Sequence, residues 1–167
     1  MTLSELIPQR YEFGFGEARI VLRYDMSALL ALEHSGLEYS DIFAEKITVQ
    51  ALCAFLDAGA GSALGDKRCE QIVRAIGAEQ VFQHVRAAVM LSLPEPDPLI
   101  IPEPTKGGGK TDYGLIRTLI CDVMKKDEEF FWKSTLRELL GRWRKYAVAK
   151  GYAKPPKRME LYDTEGM

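Results

Sequence analysis

Between Pro94 and Lys110 the chain sets Pro94, Pro96, Pro98, Pro102 and Pro104 ahead of Thr-Lys-Gly107-Gly-Gly109-Lys110. Prolines at nearly every second position favour extended polyproline geometry, and the glycine triplet behind them is flexible. No regular helix runs through such a stretch, so the fold is built from what lies on either side. Leu99-Ile100-Ile101 is its apolar exception, able to dock on a neighbouring surface. With 167 residues, 47% of them apolar, the chain holds one ordinary core, or one core and a small appendage. The division that follows is a folded part over 1–93, a linker over 94–111, a helical region over 112–158 and a mobile tail over 159–167.

Ahead of the break, Tyr11-Glu-Phe13-Gly-Phe15 alternates, Gly16-Glu17 offers a turn, and Ala18-Arg-Ile20-Val-Leu22-Arg-Tyr24 alternates again. This predicts a β-hairpin whose register is left open by Gly14 and Gly16. Asp25 can cap a helix from Met26, with Ser27 as the other candidate cap; Met26, Leu29, Leu30 and Glu33 mark its faces and Gly36 stops it. A lone hairpin is marginal in water, so this helix is expected to lie across it. Residues 37–46 read as loop or one helical turn. Thr48 caps a helix ending at Gly59-Ala-Gly61, Asp66 starts another that Gly77 stops, and Ala78 to Leu93 carries a continuous apolar stripe.

Beyond the break, Leu115, Ile116, Leu119, Ile120 and Val123 predict a helix with two candidate apolar faces. Glu129 to Tyr146 then packs two Trp, two Phe and a Tyr into one stretch. Thr135-x-x-Glu138 has the capping-box spacing, and Leu136, Leu139, Leu140, Trp143 and Ala147 follow as one helical stripe. The fold class is therefore mainly α with a small N-terminal β-hairpin (α+β), and a helical C-terminal arm after the Pro/Gly linker.

Charge is divided unevenly. Lys133 to Arg158 holds nine basic residues against the single acid Glu138, a local +8 in a chain of net −2, which leaves −10 elsewhere. Such a split implies two surfaces with different partners, or one half docking on the other or on a neighbouring copy. Cys53 and Cys121 sit among apolar neighbours and read as buried, whereas Cys69 lies in a polar run and reads as exposed. Three scattered cysteines fit a reducing cytoplasm better than a disulfide scaffold. No apolar run reaches membrane-spanning length and the N-terminus lacks a signal-peptide pattern.

Catalytic signals are weak. His34 near a helix end and His84 on the polar side of its helix have nothing around them to complete a triad or metal shell. Gly107-Gly-Gly-Lys110-Thr111 imitates the end of a phosphate loop, but Pro104 stands where the first glycine belongs and no buried strand precedes it. No catalytic residue, cofactor or metal is expected. Arg137, Arg142, Arg144, Lys145 and Lys150, interleaved with Trp143 and Tyr146, could track phosphates while a ring stacks on a base. The preferred reading is a solvated charged face, because no nucleic-acid module pattern accompanies it.

The hairpin leading into Leu22-Arg-Tyr-Asp25-Met-Ser-Ala28-Leu-Leu30-Ala-Leu-Glu33-His-Ser-Gly36 resembles the opening of the tail assembly chaperones of long-tailed bacteriophages, prophages and gene-transfer-agent-like elements. Phe130-Phe-Trp132-Lys-Ser-Thr135-Leu-Arg-Glu138-Leu-Leu140 is similar to their Phe-Trp-x-x-Thr-x-x-Glu element. The resemblance covers both ends of the chain and, more loosely, the helices between.

What the resemblance implies is a non-catalytic assembly factor of the bacterial host cytoplasm. It would coat the tape measure protein, recruit tail tube protein around it, and leave the finished particle; it would form a homo-oligomer where coating requires one. In many relatives a short and a long form arise by ribosomal frameshifting, and Gly109-Lys110 is where a slippery codon run could lie; a single unshifted product is equally compatible with this chain. Helix-in-groove contact is the natural mode for masking apolar stripes. The candidate groove residues are Phe55, Leu56, Val81, Phe82 and Val85, with ordinary core as the competing reading. Trp132, Arg137, Arg142, Trp143 and Arg144 are the candidates on the recruitment arm. The alternative from another class is a small phage-encoded nucleic-acid-binding or regulatory protein using the basic helix.

Overall fold

A computed structural model describes residues 9–94 and 111–155. The proposed linker, apart from its end residues, and the proposed tail lie outside them. Strands β1 (Tyr11–Phe15) and β2 (Ala18–Leu22) pair antiparallel, with Phe13 opposite Ile20 and Phe15 opposite Ala18. The register left open by the two glycines is thereby settled. Gly16 takes φ +59° as the first of two turn residues, the place a tight hairpin turn reserves for glycine. Phe13, Ile20 and Leu22 turn inward, while Arg19 pairs with Glu12 at 3.2 Å on the outer face.

Helix α1 (Met26–His34) begins where Asp25 accepts a hydrogen bond from the Ala28 amide at 2.9 Å. Gly36 follows at φ +74°, the left-handed conformation that closes a helix. Residues 37–46 contain a 3₁₀ turn, Tyr39–Phe43, that buries Ile42. Thr48 caps α2 (Val49–Gly59) through the Ala51 amide at 3.1 Å. Helices α3 (Asp66–Ile76) and α4 (Ala78–Ser92) are separated only by Gly77, at φ +99°. In the connection after α2, the Asp57 carboxylate accepts from the amides of Leu64 and Gly65.

The C-terminal segment comprises α5 (Tyr113–Arg117), a π-helical turn over Thr118–Val123, α6 (Glu128–Lys133) and α7 (Leu136–Ala149). The π turn explains the two apolar faces legible in the sequence. Its wider winding, with the Met124 amide reaching Leu119 O at 3.0 Å, buries Ile116 and Ile120 while Leu115 stays exposed.

Residues 112–155 do not stand off as an arm. Ile116, Ile120, Phe131, Leu136 and Leu139 belong to the same core as Phe13, Leu32, Phe55, Ile72 and Val85. A polar seam reinforces the contact. Asp25 and Thr135 form an isolated antiparallel bridge, the Met26 amide donates to Ser134 O at 3.1 Å, and Arg23 pairs with Glu138 at 2.8 Å. Glu138 also closes the capping box on Thr135, so one carboxylate both starts α7 and fixes it to the β2–α1 junction. Of the two outcomes implied by the charge split, docking of one half on the other is realised here. The ion pair runs against the bulk polarity: the cation comes from the acidic half, and the anion is the basic segment's only acid.

Cys53 is buried as expected; the other two cysteines depart from expectation. Cys69 is buried, because it shares the inward stripe of α3 with Ile72 and Val73; Cys121 is only half-buried. Burial first, then nearby Asp57, pushes the Cys69 thiol up to about 12. All three cysteines are free. No helix among the described residues is long and apolar enough to cross a membrane.

Candidate functional site

Where α1, α5 and α6 converge, an apolar groove of about 210 Å³ stays open to solvent. Its walls are Met26, Leu29 and Leu30 from α1, Tyr113 from α5, and Phe131 and Trp132 from α6. Glu33 and Arg117 stand among the lining residues as its charged groups. Sites for small organic ligands enclose roughly 300–1,000 Å³. This groove is smaller and holds side chains better than a cofactor.

Local sequence explains why the groove exists. Leu29 and Leu30 are adjacent on a helix and point about 100° apart; Ala28 and Leu29 take the inward side, which turns Leu30 toward its edge. Leu29 is buried; Leu30 remains 37% exposed. Across from it, α6 is anchored by Phe131, whose ring meets Trp132 edge-on at 5.1 Å. The Ser27 hydroxyl donates to Trp132 O at 3.3 Å, tying α6 to the start of α1. Burial pushes the Tyr113 phenol up to about 12, so it stays neutral over the working range. Hydrogen bonding to Glu128 raises Arg117 above its ordinary value and keeps it charged.

The residues singled out from sequence are distributed differently. Phe55, Leu56, Val81 and Val85 are wholly buried and line no groove; they are core, because α2 and α4 pack directly on each other. Phe82 is half-buried against the same core. Trp132 does line the groove. Arg137 is occupied by the end of α4, donating to Leu93 O at 2.7 Å and Met90 O at 3.0 Å. Those carbonyls carry the negative end of that helix's dipole, so the guanidinium acts there as a structural cap.

The Arg142 guanidinium lies 5.0 Å from the centre of the Phe130 ring, Trp143 stacks on Tyr146 at 5.8 Å, and Arg144 is exposed. Met26, Leu29, Leu30, Glu33, Tyr113, Gly114, Arg117 and Phe131 are the groove residues that sequence reasoning did not assign to a site. The usable signal was Leu30, an apolar residue beside a complete inward stripe.

The histidines build no catalytic group. His34 is exposed at the end of α1. His84 is half-buried rather than on a polar face, stacked on Phe13 at 4.4 Å with its Nδ1 2.8 Å from the Tyr11 hydroxyl. It therefore pins β1 to α4. Among the described residues no group of His, Cys, Asp and Glu could hold a metal ion. A larger, more polar cleft of about 400 Å³ beside Arg23, Val21 and Gly61 has its Arg23 guanidinium committed to Glu138.

Comparison of the chain with protein-family models, with curated proteins and with solved structures returned no match.

Proposed function

We propose that this protein is a non-catalytic tail assembly chaperone of a long-tailed bacteriophage or prophage. It holds an apolar helical segment of the tape measure protein in the α1–α5–α6 groove, in the host cytoplasm. One observation carries the reading. The two stretches that resemble the chaperone family lie far apart in sequence, yet they pack on each other and, with α5, wall an open apolar groove. A segment with alternating exposed and buried apolar faces needs temporary cover until it assembles, and a short open groove offers that without trapping it. Tail tube subunits are recruited from the exposed basic side of α7, around Arg142 and Arg144, with that helix remaining docked.

The test is co-expression of a tape measure fragment with the full chain. Soluble fragment yield is expected to rise with wild-type protein and to fall to the unassisted level with Leu30→Asp or Trp132→Asp. Leu30→Asp should keep the wild-type melting transition, since Leu30 is exposed, whereas Trp132→Asp lowers it because that ring packs on Phe131 and the core, so Leu30→Asp carries the test. A fragment that precipitates equally with and without the wild-type chain overturns the reading. Duplex DNA supplies the competing class: a steep fall of affinity with salt, lost on replacing Arg142 and Arg144, would assign the basic helix to phosphates.

A further inference from the structure

Glu33 is an acid in a place that helix electrostatics disfavours. It lies in the last turn of α1, where backbone carbonyls leave partial negative charge and a cation is the stabilising choice. It is exposed, and no ion-pair partner for it occurs among the described residues. The other charged residue of the groove differs: the Arg117 guanidinium is already paired with the Glu128 carboxylate. Just beyond α1, exposed Glu38 acts with Glu33 on the Tyr113 phenol of the groove wall, whereas the Asp41 carboxylate is engaged by the Glu38 amide. The Glu33 side of the groove is therefore a negative rim reinforced by a helix C-terminus, facing an apolar floor.

We propose that the groove selects an amphipathic helix carrying a Lys or Arg about one turn from its apolar anchor residues, with Glu33 as the specificity determinant. This rests on the binding role proposed above and names the chemistry of its ligand. The anchor side chains fill the space between Leu29, Leu30 and Trp132. The cation meets the Glu33 carboxylate and the negative end of the α1 dipole, whose last carbonyls the closing turn already satisfies. A helix with an acid at that position meets repulsion from both, and one with a neutral residue loses the attraction only. A local rule broken at an exposed, unpaired residue beside a groove marks selection for a partner better than for stability.

The experiment uses the full chain carrying Trp143→Phe, which leaves Trp132 as the single tryptophan reporter in the groove. Three synthetic amphipathic peptides share leucine anchors and differ at one position, Lys, Ala or Glu. Trp132 fluorescence titration is expected to rank them Lys, Ala, Glu, with about fivefold or more between the extremes at low salt. Glu33→Gln should collapse that ranking without weakening the Ala peptide, and Glu33→Lys should invert it.

Equal affinities on the wild-type groove, abolished together by Leu30→Asp, would overturn the charge selection while leaving the binding role standing. Absence of binding by any peptide, or binding indifferent to Leu30→Asp, would overturn both. Two further results reassign the groove and overturn the proposal. One is a rise in affinity for all peptides on replacing Leu99, Ile100 and Ile101 by Ser, which assigns it to the chain's own segment. The other is concentration-dependent self-association lost with Leu30→Asp, which assigns it to a second copy.

Discussion

Across α2, α3 and α4 the contacts are apolar and unbroken: Leu52, Phe55, Leu56, Ile72, Val81 and Val85 are all but inaccessible to solvent. The seam between α1 and the α6–α7 junction is built otherwise. There a backbone bridge, a capping box and a two-point ion pair surround a smaller apolar contact made by Phe131, Leu136 and Leu139. The first kind of interface is strong because apolar area is removed from water in bulk. The second is specific because its donors and acceptors must meet in one register. Residues 9–94 thus carry most of the core, and residues 111–155 complete it along a line that polar groups define.

The largest expected effect comes from removing the second region outright. Ending the chain after Pro94 deletes Ile116, Ile120, Phe131, Leu136 and Leu139 from the core and uncovers their partners. Each such side chain contributes about 1.5–3 kcal/mol. Together the five contribute about 7.5–15 kcal/mol, comparable to the roughly 5–15 kcal/mol by which ordinary domains are stable. The truncated protein is expected to lose its cooperative thermal transition by circular dichroism. A truncation melting sharply within a few degrees of wild type would show that the first region closes its own core.

The first region can be strained at one atom. A Cβ built on Gly59, at the end of α2, would stand 2.7 Å from Tyr24 Cζ, and Tyr24 is buried with its hydroxyl donating to Phe55 O at 2.7 Å. The Arg23 amide also donates to Gly59 O at 2.8 Å, so the backbone cannot retreat freely. Gly59→Ala should cost about 1–3 kcal/mol, measured as a lower urea midpoint. A neutral result would mean that Tyr24 shifts without loss and that the packing in this region is looser than its burial implies.

The seam is probed by separating the two tasks of Glu138. Glu138→Gln keeps an oxygen for the Thr135 amide and removes the charge facing Arg23; Glu138→Ala removes both. Both partners are only 21% exposed, so solvent screening is partial. A coupling of about 1–2 kcal/mol is expected in the Arg23→Ala/Glu138→Gln cycle, with Glu138→Ala costing about 1 kcal/mol more than Glu138→Gln. A coupling indistinguishable from zero would reduce the seam to its backbone bridge, capping box and apolar contact.

This contrast also sets what could be read without coordinates. Caps and stops were legible, since Asp25, Thr48, Thr135, Gly36 and Gly77 act through local backbone geometry that residue type dictates. Apolar stripes were legible as elements but not as destinations. Periodicity marks Phe55, Val81 and Val85 as one-sided; whether that side meets a partner or a neighbouring helix depends on packing the pattern does not contain. The docking of α7 turns on Arg23 meeting Glu138 across 115 positions. A Pro/Gly stretch between them says only that the connection imposes no geometry. The groove was illegible for the same reason: its walls come from three helices, and its one local sign was Leu30.

The smallest expected effect lies on Asp25, where the two regions touch. Burial raises its carboxyl above the ordinary value, only partly opposed by the Ala28 amide and by Arg23. In the unfolded chain the same carboxyl titrates near its ordinary value of about 3.9. Between that value and the raised one the native state holds more proton than the unfolded state. Stability is then greatest below the unfolded pKa and declines as pH rises through the folded one. Asn keeps an oxygen for the Ala28 amide and is an equally good helix cap, but carries no charge to desolvate. Asp25→Asn should therefore flatten that part of the profile and leave neutral-pH stability unchanged or up to about 1 kcal/mol higher. Urea midpoints collected from about pH 4 to pH 7 measure it. A variant whose slope matches wild type would place the pH dependence elsewhere and show the bridge to Thr135 to be better hydrated than its burial suggests. A variant destabilised only above the folded pKa, where the carboxyl is ionised, would show that its charge, and not its acceptor oxygen, holds α1 against α7.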